Sequence, residues 1–457
     1  MSRYVALMLM VLFVVSCSSE DRLDVDIPED EIPGTDIPVE EEVRFEVLSD
    51  TTYDYQDFVS GLIDRFADAS GLNPLLQTLL KGSFDKYLQS IRSSCGLEDQ
   101  TLGFRKVAYA YDSIDQHGEP AEVSAMALWL GYFEKDEWHD LSPDAVALVE
   151  HFTVTSNEEC PSEGFPFEAF VNGNSLVIMP DYIGYGVSAD MIHPYMNHEV
   201  CALNSVDALA AGFAAFDDLS MSDMPEDWEM TVLGASQGGG NALAVHRMMD
   251  EDPGLAEKWH FASSYCAAGP YDPALTVDMY LEYGKTDFPV LFPLTIKSMY
   301  DSYPEILGGF EEEDFYCANY LSMKSDIDDA IGKKELSVAK LNRMCIDYFR
   351  TDMHSSGLAY DEISVHDILS EEIMDRNSEI FKAFYRCLEK NDLTTGWTPS
   401  HPVKLYYSET DSVVPFENSM AVRDAFGDGH VTLVKGLSFE HEISCALWML
   451  DVMTQAI

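Results

Sequence analysis

"TVLGASQGGGNALAVHRMM", residues Thr231 to Met249, decides how the rest of the chain is read. Met230, Val232 and Leu233 end an apolar run of the buried-strand type, while Ala242, Leu243, Val245, His246 and Met249 recur at helical spacing. The stretch predicts a strand, a sharp turn and a helix, with Ser236 at the turn. A serine so placed has a strained backbone close to its neighbours. It therefore needs small residues around it, and Gly234, Ala235, Gly238, Gly239 and Gly240 supply them. The helix start behind it would aim free N–H groups at an oxyanion. A serine cannot deprotonate itself near neutral pH, so reading Ser236 as a nucleophile requires a histidine and a carboxylate farther along.

Both are found near the end of the chain. Val403 to Tyr407 reads as a strand, followed by a polar turn, Ser408 to Pro415, that holds Glu409 and Asp411. A carboxylate at such a strand end can accept the histidine N–H and stabilise an imidazolium. Asp411 is the expected acid and Glu409 the alternative. His430 precedes the last strand, "HVTLVKG", and His441 follows it at the start of the final helix, "HEISCALWMLDVMTQAI". Parallel strands bring their carboxyl ends to one edge, so only His441 can meet Ser236 and Asp411 there. The chain order is serine, acid, histidine.

The flanking pattern is that of an α/β protein. "DAVALVEHF", "NSLVIMPDY" and "KWHFASSYCAAGP" read as buried strands, and Asn197 to Leu219 as a helix crossing between them. "FRKVAYAYDSID" and "EVSAMALWLGYF" flank the turn-like "QHGEP" and predict an antiparallel hairpin over Phe104 to Phe133. Tyr55 to Arg92 carries Phe58, Leu62, Phe66, Leu75, Leu79, Leu80, Leu88 and Ile91 at helical spacing. Between Pro270 and Thr398 the strand pattern gives way to Tyr-, Phe-, Met- and acid-rich helical stretches, the signature of an inserted cap. Tyr280, Tyr283, Phe288, Phe292 and Phe310 are expected either to line an apolar acyl pocket or to form the cap's own core. The expected organisation is a helical segment at 46–100, an α/β core at 101–270 and 399–457, and a helical cap at 271–398.

The chain has 27 basic and 81 acidic residues, a formal charge of −54. Such a field repels phosphate backbones and anionic headgroups, excluding nucleic acid as a partner and favouring neutral, apolar or cationic ones. Residues 1–16 read as a signal peptide, with Tyr4 to Val15 as its apolar part. Val14-Val15-Ser16-Cys17 resembles the lipobox of bacterial lipoproteins, which implies cleavage before Cys17, lipidation there and attachment to the outer membrane. Residues 17–45, acidic and proline-punctuated, are expected to form an extended tether. Acidic residues directly after the lipidated cysteine also resemble surface-export signals. The remaining cysteines, Cys95, Cys160, Cys201, Cys266, Cys317, Cys345, Cys387 and Cys445, permit disulfides but contain no CxxC, so no zinc cluster is expected. Two further motifs fail in context. Gly184 to Ala189 fits GxGxxA, yet Pro194 follows and no helix opens there. Asp326 to Lys333 lacks the glycine of a calcium loop, having Ile331 in its place, and no metal is expected.

With these residues placed, the sequence resembles the α/β-hydrolase family, in particular its secreted lipase-like and esterase-like members. The matching pieces are "GASQGG" at the elbow, "MPDYIGYG" and "HPYMN" before it, "DSVVP" at the acid and "EHE" at the base. They span residues 104–270 and 401–457. The resemblance implies a mostly parallel sheet flanked by helices and hydrolysis of a neutral or apolar ester through an acyl-enzyme, without a cofactor. It implies one oxyanion donor in the N–H of Gln237. A second would lie in the loop after the third strand, where His151 is followed by Phe152 and Thr153 rather than by glycine. A serine peptidase of the same fold and an inactive, lipid-anchored binding protein are the alternatives; the oligomeric state stays open.

Overall fold

The computed structural model describes residues 43–69 and 74–455. The signal peptide, Cys17 and the acidic stretch up to residue 42 lie outside the described residues, and of Phe66, Leu75, Leu79 and Leu80 only the backbone is described.

The chain enters through strand β1 (Phe45–Asp54), followed by helices α1 (Tyr55–Ala69) and α2 (Pro74–Ser94). The expectation of a wholly helical segment at 46–100 is corrected by β1. This strand lies at the sheet edge with most of its side chains in water, so it carries no apolar alternation to betray it. Its register against the next strand is held by the backbone ladder and by Arg105, whose guanidinium forks onto both Asp50 oxygens at 2.8 and 2.7 Å. Strands β2 (Thr101–Ile114) and β3 (Pro120–Glu134) form the predicted hairpin, and β4 (Glu137–Asp140) folds back on β3. Next come β5 (Ala145–Glu150), β6 (Ser175–Pro180), α3 (His198–Leu219), β7 (Met230–Ala235), α4 (Gln237–Glu251) and β8 (Phe261–Ala267).

The cap follows, as α5 (Pro273–Tyr283), β9 (Lys285–Thr286), α6 (Leu291–Ser302), α7 (Lys324–Lys333), α8 (Val338–Phe349), β10 (Ile363–Ser364) and α9 (Glu379–Glu389), joined by shorter turns. The calcium-loop look-alike is simply part of α7. The core then resumes with β11 (Val403–Tyr407), α10 (Glu417–Phe426), β12 (Val431–Lys435) and α11 (His441–Gln455).

The strands form a ten-stranded sheet in the order β1-β2-β3-β6-β5-β7-β8-β11-β12, with β4 beside β3. From β6 through β12 the neighbours run parallel. Alternation along β3 shows how one strand serves both faces. Val123, Ala125, Ala127 and Trp129 join one core with α3 and α4, whereas Met126, Leu128 and Leu130 join the other with α1, α2 and α11. Each fully buried Val, Leu or Met among them contributes about 1.5–3 kcal/mol, which is why a sheet covered on both faces can sustain so large a domain. The cap buries a separate apolar centre that includes Leu294, Phe315, Leu341, Phe349 and Phe384. It is tied to the core by polar contacts: Tyr280 Oη donates to the Val413 carbonyl at 2.8 Å, and the Glu159 carboxylate accepts the Val338 N–H that opens α8 at 3.1 Å.

Candidate active site

Ser236 occupies the turn between β7 and α4 with φ 58° and ψ −125°, a left-handed backbone that non-glycine residues adopt only where their surroundings hold them there. The neighbours explain why small residues flank it. A Cβ on Gly234 would run into the Gly238 carbonyl, and one on Gly238 into the carbonyl of Glu150. The Ser236 N–H donates to Ala267 at 2.9 Å, and its carbonyl accepts the N–H of Gly239 and Gly240 at 2.9 and 3.2 Å. The first N–H of α4, that of Gln237, has no protein acceptor among the described residues and is available to an anion.

The sheet brings the three expected side chains together. His441 Nε2 lies 2.8 Å from Ser236 Oγ, and His441 Nδ1 lies 2.8 Å from Asp411 Oδ2. The other Asp411 oxygen accepts the N–H groups of Val413 and Val414 at 2.9 and 2.8 Å, which fixes the carboxylate plane. Ser408 Oγ, at the start of the acid turn, donates to the Phe439 carbonyl at 2.6 Å and thereby clamps that turn to the loop before His441. Burial, the largest single influence, disfavours the charged imidazole of His441, but the adjacent Asp411 carboxylate together with Cys445 outweighs it and holds the ring well above the ordinary histidine range. Glu409, the alternative acid, instead pairs with Lys435 at the surface, 2.6 Å away. His430 sits before β12, at the opposite end of that strand.

Of the two residues expected in the oxyanion loop, the structure separates one from the other. The Phe152 N–H faces Glu168 Oε1 at 3.4 Å, so its donor is already directed at a carboxyl group and Phe152 is withdrawn as an oxyanion donor. The Thr153 N–H has no acceptor among the described residues, and its hydroxyl lies 3.0 Å from Tyr195 Oη. Glu168 is itself buried, and desolvation raises its carboxyl to about 7 against the hydrogen bonds it accepts.

A second buried acid, Glu150, ends β5 directly beneath the elbow. Tyr182 Oη and Ser205 Oγ donate to its Oε2 at 2.8 and 2.9 Å, yet burial wins and pushes the carboxyl to about 8. Neither acid was singled out in the sequence. Glu150 left a signal there, because it is the only charged residue closing the apolar run "AVALVE". The disulfides that the cysteine count permits do not form; all eight described cysteines are free thiols.

The cap contains a cavity lined chiefly by apolar side chains, among them Val277, Tyr280, Phe292 and Phe384. Two of its lining residues reach toward the site through their hydroxyls: Tyr195 meets Thr153 Oγ1 and Tyr280 donates to the Val413 carbonyl. Of the five aromatic residues expected in an acyl pocket, Tyr280 and Phe292 line the cavity. Phe288 and Phe310 pack in the cap's core, and Tyr283 is 62% exposed.

No family model matches the chain, and no curated protein matches it in sequence. Solved structures do. The rice cell wall degrading esterase LipA from Xanthomonas oryzae superposes with a TM-score of 0.62 at 20% identity, covering 80% of this chain and 94% of that one. A Legionella pneumophila protein superposes at 0.59 with 14% identity over 91% of this chain and 97% of its own. Candida antarctica lipase A in its closed state gives 0.50 at 10% identity, over 80% of each chain. At these identities the likeness establishes the fold. The chain has the α/β-hydrolase fold, a mostly parallel sheet flanked by helices, as the sequence led one to expect.

Proposed function

We propose that this chain is a serine hydrolase that cleaves carboxylic esters through an acyl-enzyme. The observation that carries the reading is the continuous pair of 2.8 Å contacts from Ser236 through His441 to Asp411. His441 Nε2 takes the Ser236 proton as Oγ attacks the ester carbonyl, and Asp411 stabilises the imidazolium that results. The N–H groups of Gln237 and Thr153 receive the oxyanion. His441 then returns the proton to the leaving alcohol, and water, activated by the same imidazole, releases the acid. The apolar cap cavity suits the acyl part of the ester. The distant likeness to an esterase and a lipase supports this class of reaction.

A panel of nitrophenyl esters graded by acyl length, run beside aminoacyl amides, tests the assignment. Faster turnover of the esters is expected. Faster turnover of the amides would make the chain a peptidase, and no turnover of either would favour a binding protein on a hydrolase scaffold.

Lipidation at Cys17, with anchoring to the outer membrane of a bacterium, belongs to the same proposal and rests on the lipobox-like sequence. Metabolic labelling with an alkynyl fatty acid should mark the wild-type chain and not C17S; equal labelling of both would remove the anchor.

A further inference from the structure

The segment His193-Pro194-Tyr195, between β6 and α3, touches both sides of the prospective oxyanion site. His193 Nδ1 donates to the Ile183 carbonyl at 2.8 Å, so Nε2 of the neutral ring must carry the lone pair. Gln237 Nε2 lies 2.8 Å from that atom and donates to it. Two residues further on, Tyr195 Oη meets Thr153 Oγ1 at 3.0 Å. The segment is stiff: the Tyr195 N–H donates to the His193 carbonyl and the Asn197 N–H to that of Pro194, at 2.8 and 2.9 Å. The imidazole lies among the rings of Tyr182 and Tyr185, with centroids 5.9 and 5.0 Å away. From the cap, Lys334 Nζ reaches the carbonyls of Gly184 and Met191 and closes the loop that leads into His193.

All four participants are buried, with His193, Tyr195, Gln237 and Thr153 at 8, 3, 1 and 7% exposure, so water does not compete for these bonds. Burial also depresses His193 to about 3, which preserves Nε2 as an acceptor at working pH. The need for a brace follows from the elbow itself. The peptide joining Ser236 to Gln237 starts from a strained φ, and its N–H is held by no protein acceptor among the described residues. The carbonyl end of that peptide is held by the N–H groups of Gly239 and Gly240, and the pinned Gln237 side chain restrains its other end, at the residue whose N–H is left for the oxyanion.

We propose that His193 and Tyr195 are positioning residues that hold the two oxyanion donors, the N–H groups of Gln237 and Thr153, at a fixed place across Ser236. The proposal rests on the hydrolase reading above. Neither side chain touches the reacting atoms in this role; each acts through the residue it grips.

Y195F keeps the ring and removes only the hydroxyl, while H193F keeps most of the volume and removes the acceptor. Rates are taken per site titrated with a fluorophosphonate, so unfolded protein does not enter them. Each variant should lower kcat for a short nitrophenyl ester by about ten- to a hundred-fold with KM within about two-fold, the size expected when a transition-state donor is displaced rather than deleted. Affinity for a trifluoromethyl ketone, which forms a hemiketal oxyanion on serine, should fall by the same factor. H193N, whose amide oxygen can accept from Gln237, should recover part of both. Unchanged kcat and inhibitor affinity per titrated site, in Y195F as well as H193F, would overturn the proposal alone. A wild-type chain that neither labels nor hydrolyses ester would overturn the hydrolase reading and this proposal with it.

Discussion

His441 Nδ1 lies 2.8 Å from Asp411 Oδ2, so the imidazole at the start of the last helix is oriented by a carboxylate on the turn after β11. With Nδ1 thus committed to donating, Nε2 faces Ser236 as an acceptor. D411N should invert this preference by offering an amide N–H in place of the acceptor, and kcat on an ester should fall about 10⁴-fold. E409Q, which loses only a surface pairing with Lys435, should stay within about two-fold of wild type, as exposed ion pairs contribute little. Steady-state kinetics on both variants decides between the two acids.

The same contact sets the pH dependence. Burial opposes the imidazolium and Asp411 favours it, with the balance well above the usual histidine value of 6.5. The protonated ring cannot accept the serine proton, so kcat/KM should be lost as pH falls, with the midpoint of that limb above 6.5. The residual activity of D411N should show this midpoint displaced to lower pH. A profile of kcat/KM from acid to neutral pH on both proteins reads it directly.

Glu150 should make the fold pH-sensitive independently of catalysis. Its native carboxyl keeps a proton up to about pH 8, whereas an unfolded glutamate releases its own near the ordinary 4.5. Between these values the native state binds more protons, so stability falls as pH rises, by up to about 1.4 kcal/mol per pH unit. E150Q cannot ionise. Thermal midpoints measured from pH 5 to 8 should decline less steeply for E150Q than for wild type, and parallel slopes would show that Glu150 is not the titrating group.

The cap cavity should select acyl length. Val277 lines it, and V277F places a ring in that space without touching Ser236, His441 or Asp411. Turnover of a nitrophenyl acetate should stay within about two-fold, while kcat/KM for an octanoate ester should drop at least about ten-fold, corresponding to the roughly 1.4 kcal/mol of lost apolar contact that such a factor represents. Equal effects on both esters would place the acyl chain elsewhere.

Much of this arrangement was legible in the sequence because it is periodic. β3 alternates between two cores, α3 and α4 repeat at helical spacing, and a serine among glycines can stand at only a few kinds of turn. The chain order of Ser236, Asp411 and His441 followed from one geometric fact, the shared edge of parallel strand ends. The parts that stayed hidden are those where the physical signal is not periodic. β1 is an exposed edge strand, with nothing apolar to alternate. Glu168 reaches Phe152 from a single turn of 3-10 helix, and no spacing rule foretells that contact. The aromatic residues of the cap divide between cavity and core according to tertiary packing, which is why Phe292 lines the space and Phe310 does not.

The central claim is that Ser236 is an activated nucleophile. Incubating the purified chain with a fluorescent fluorophosphonate and locating the adduct by peptide mass spectrometry addresses it most directly. A stoichiometric adduct on Ser236 is expected, absent from S236A and much slowed in H441A. Labelling that persists in S236A, or a wild-type chain that resists the reagent, would contradict it.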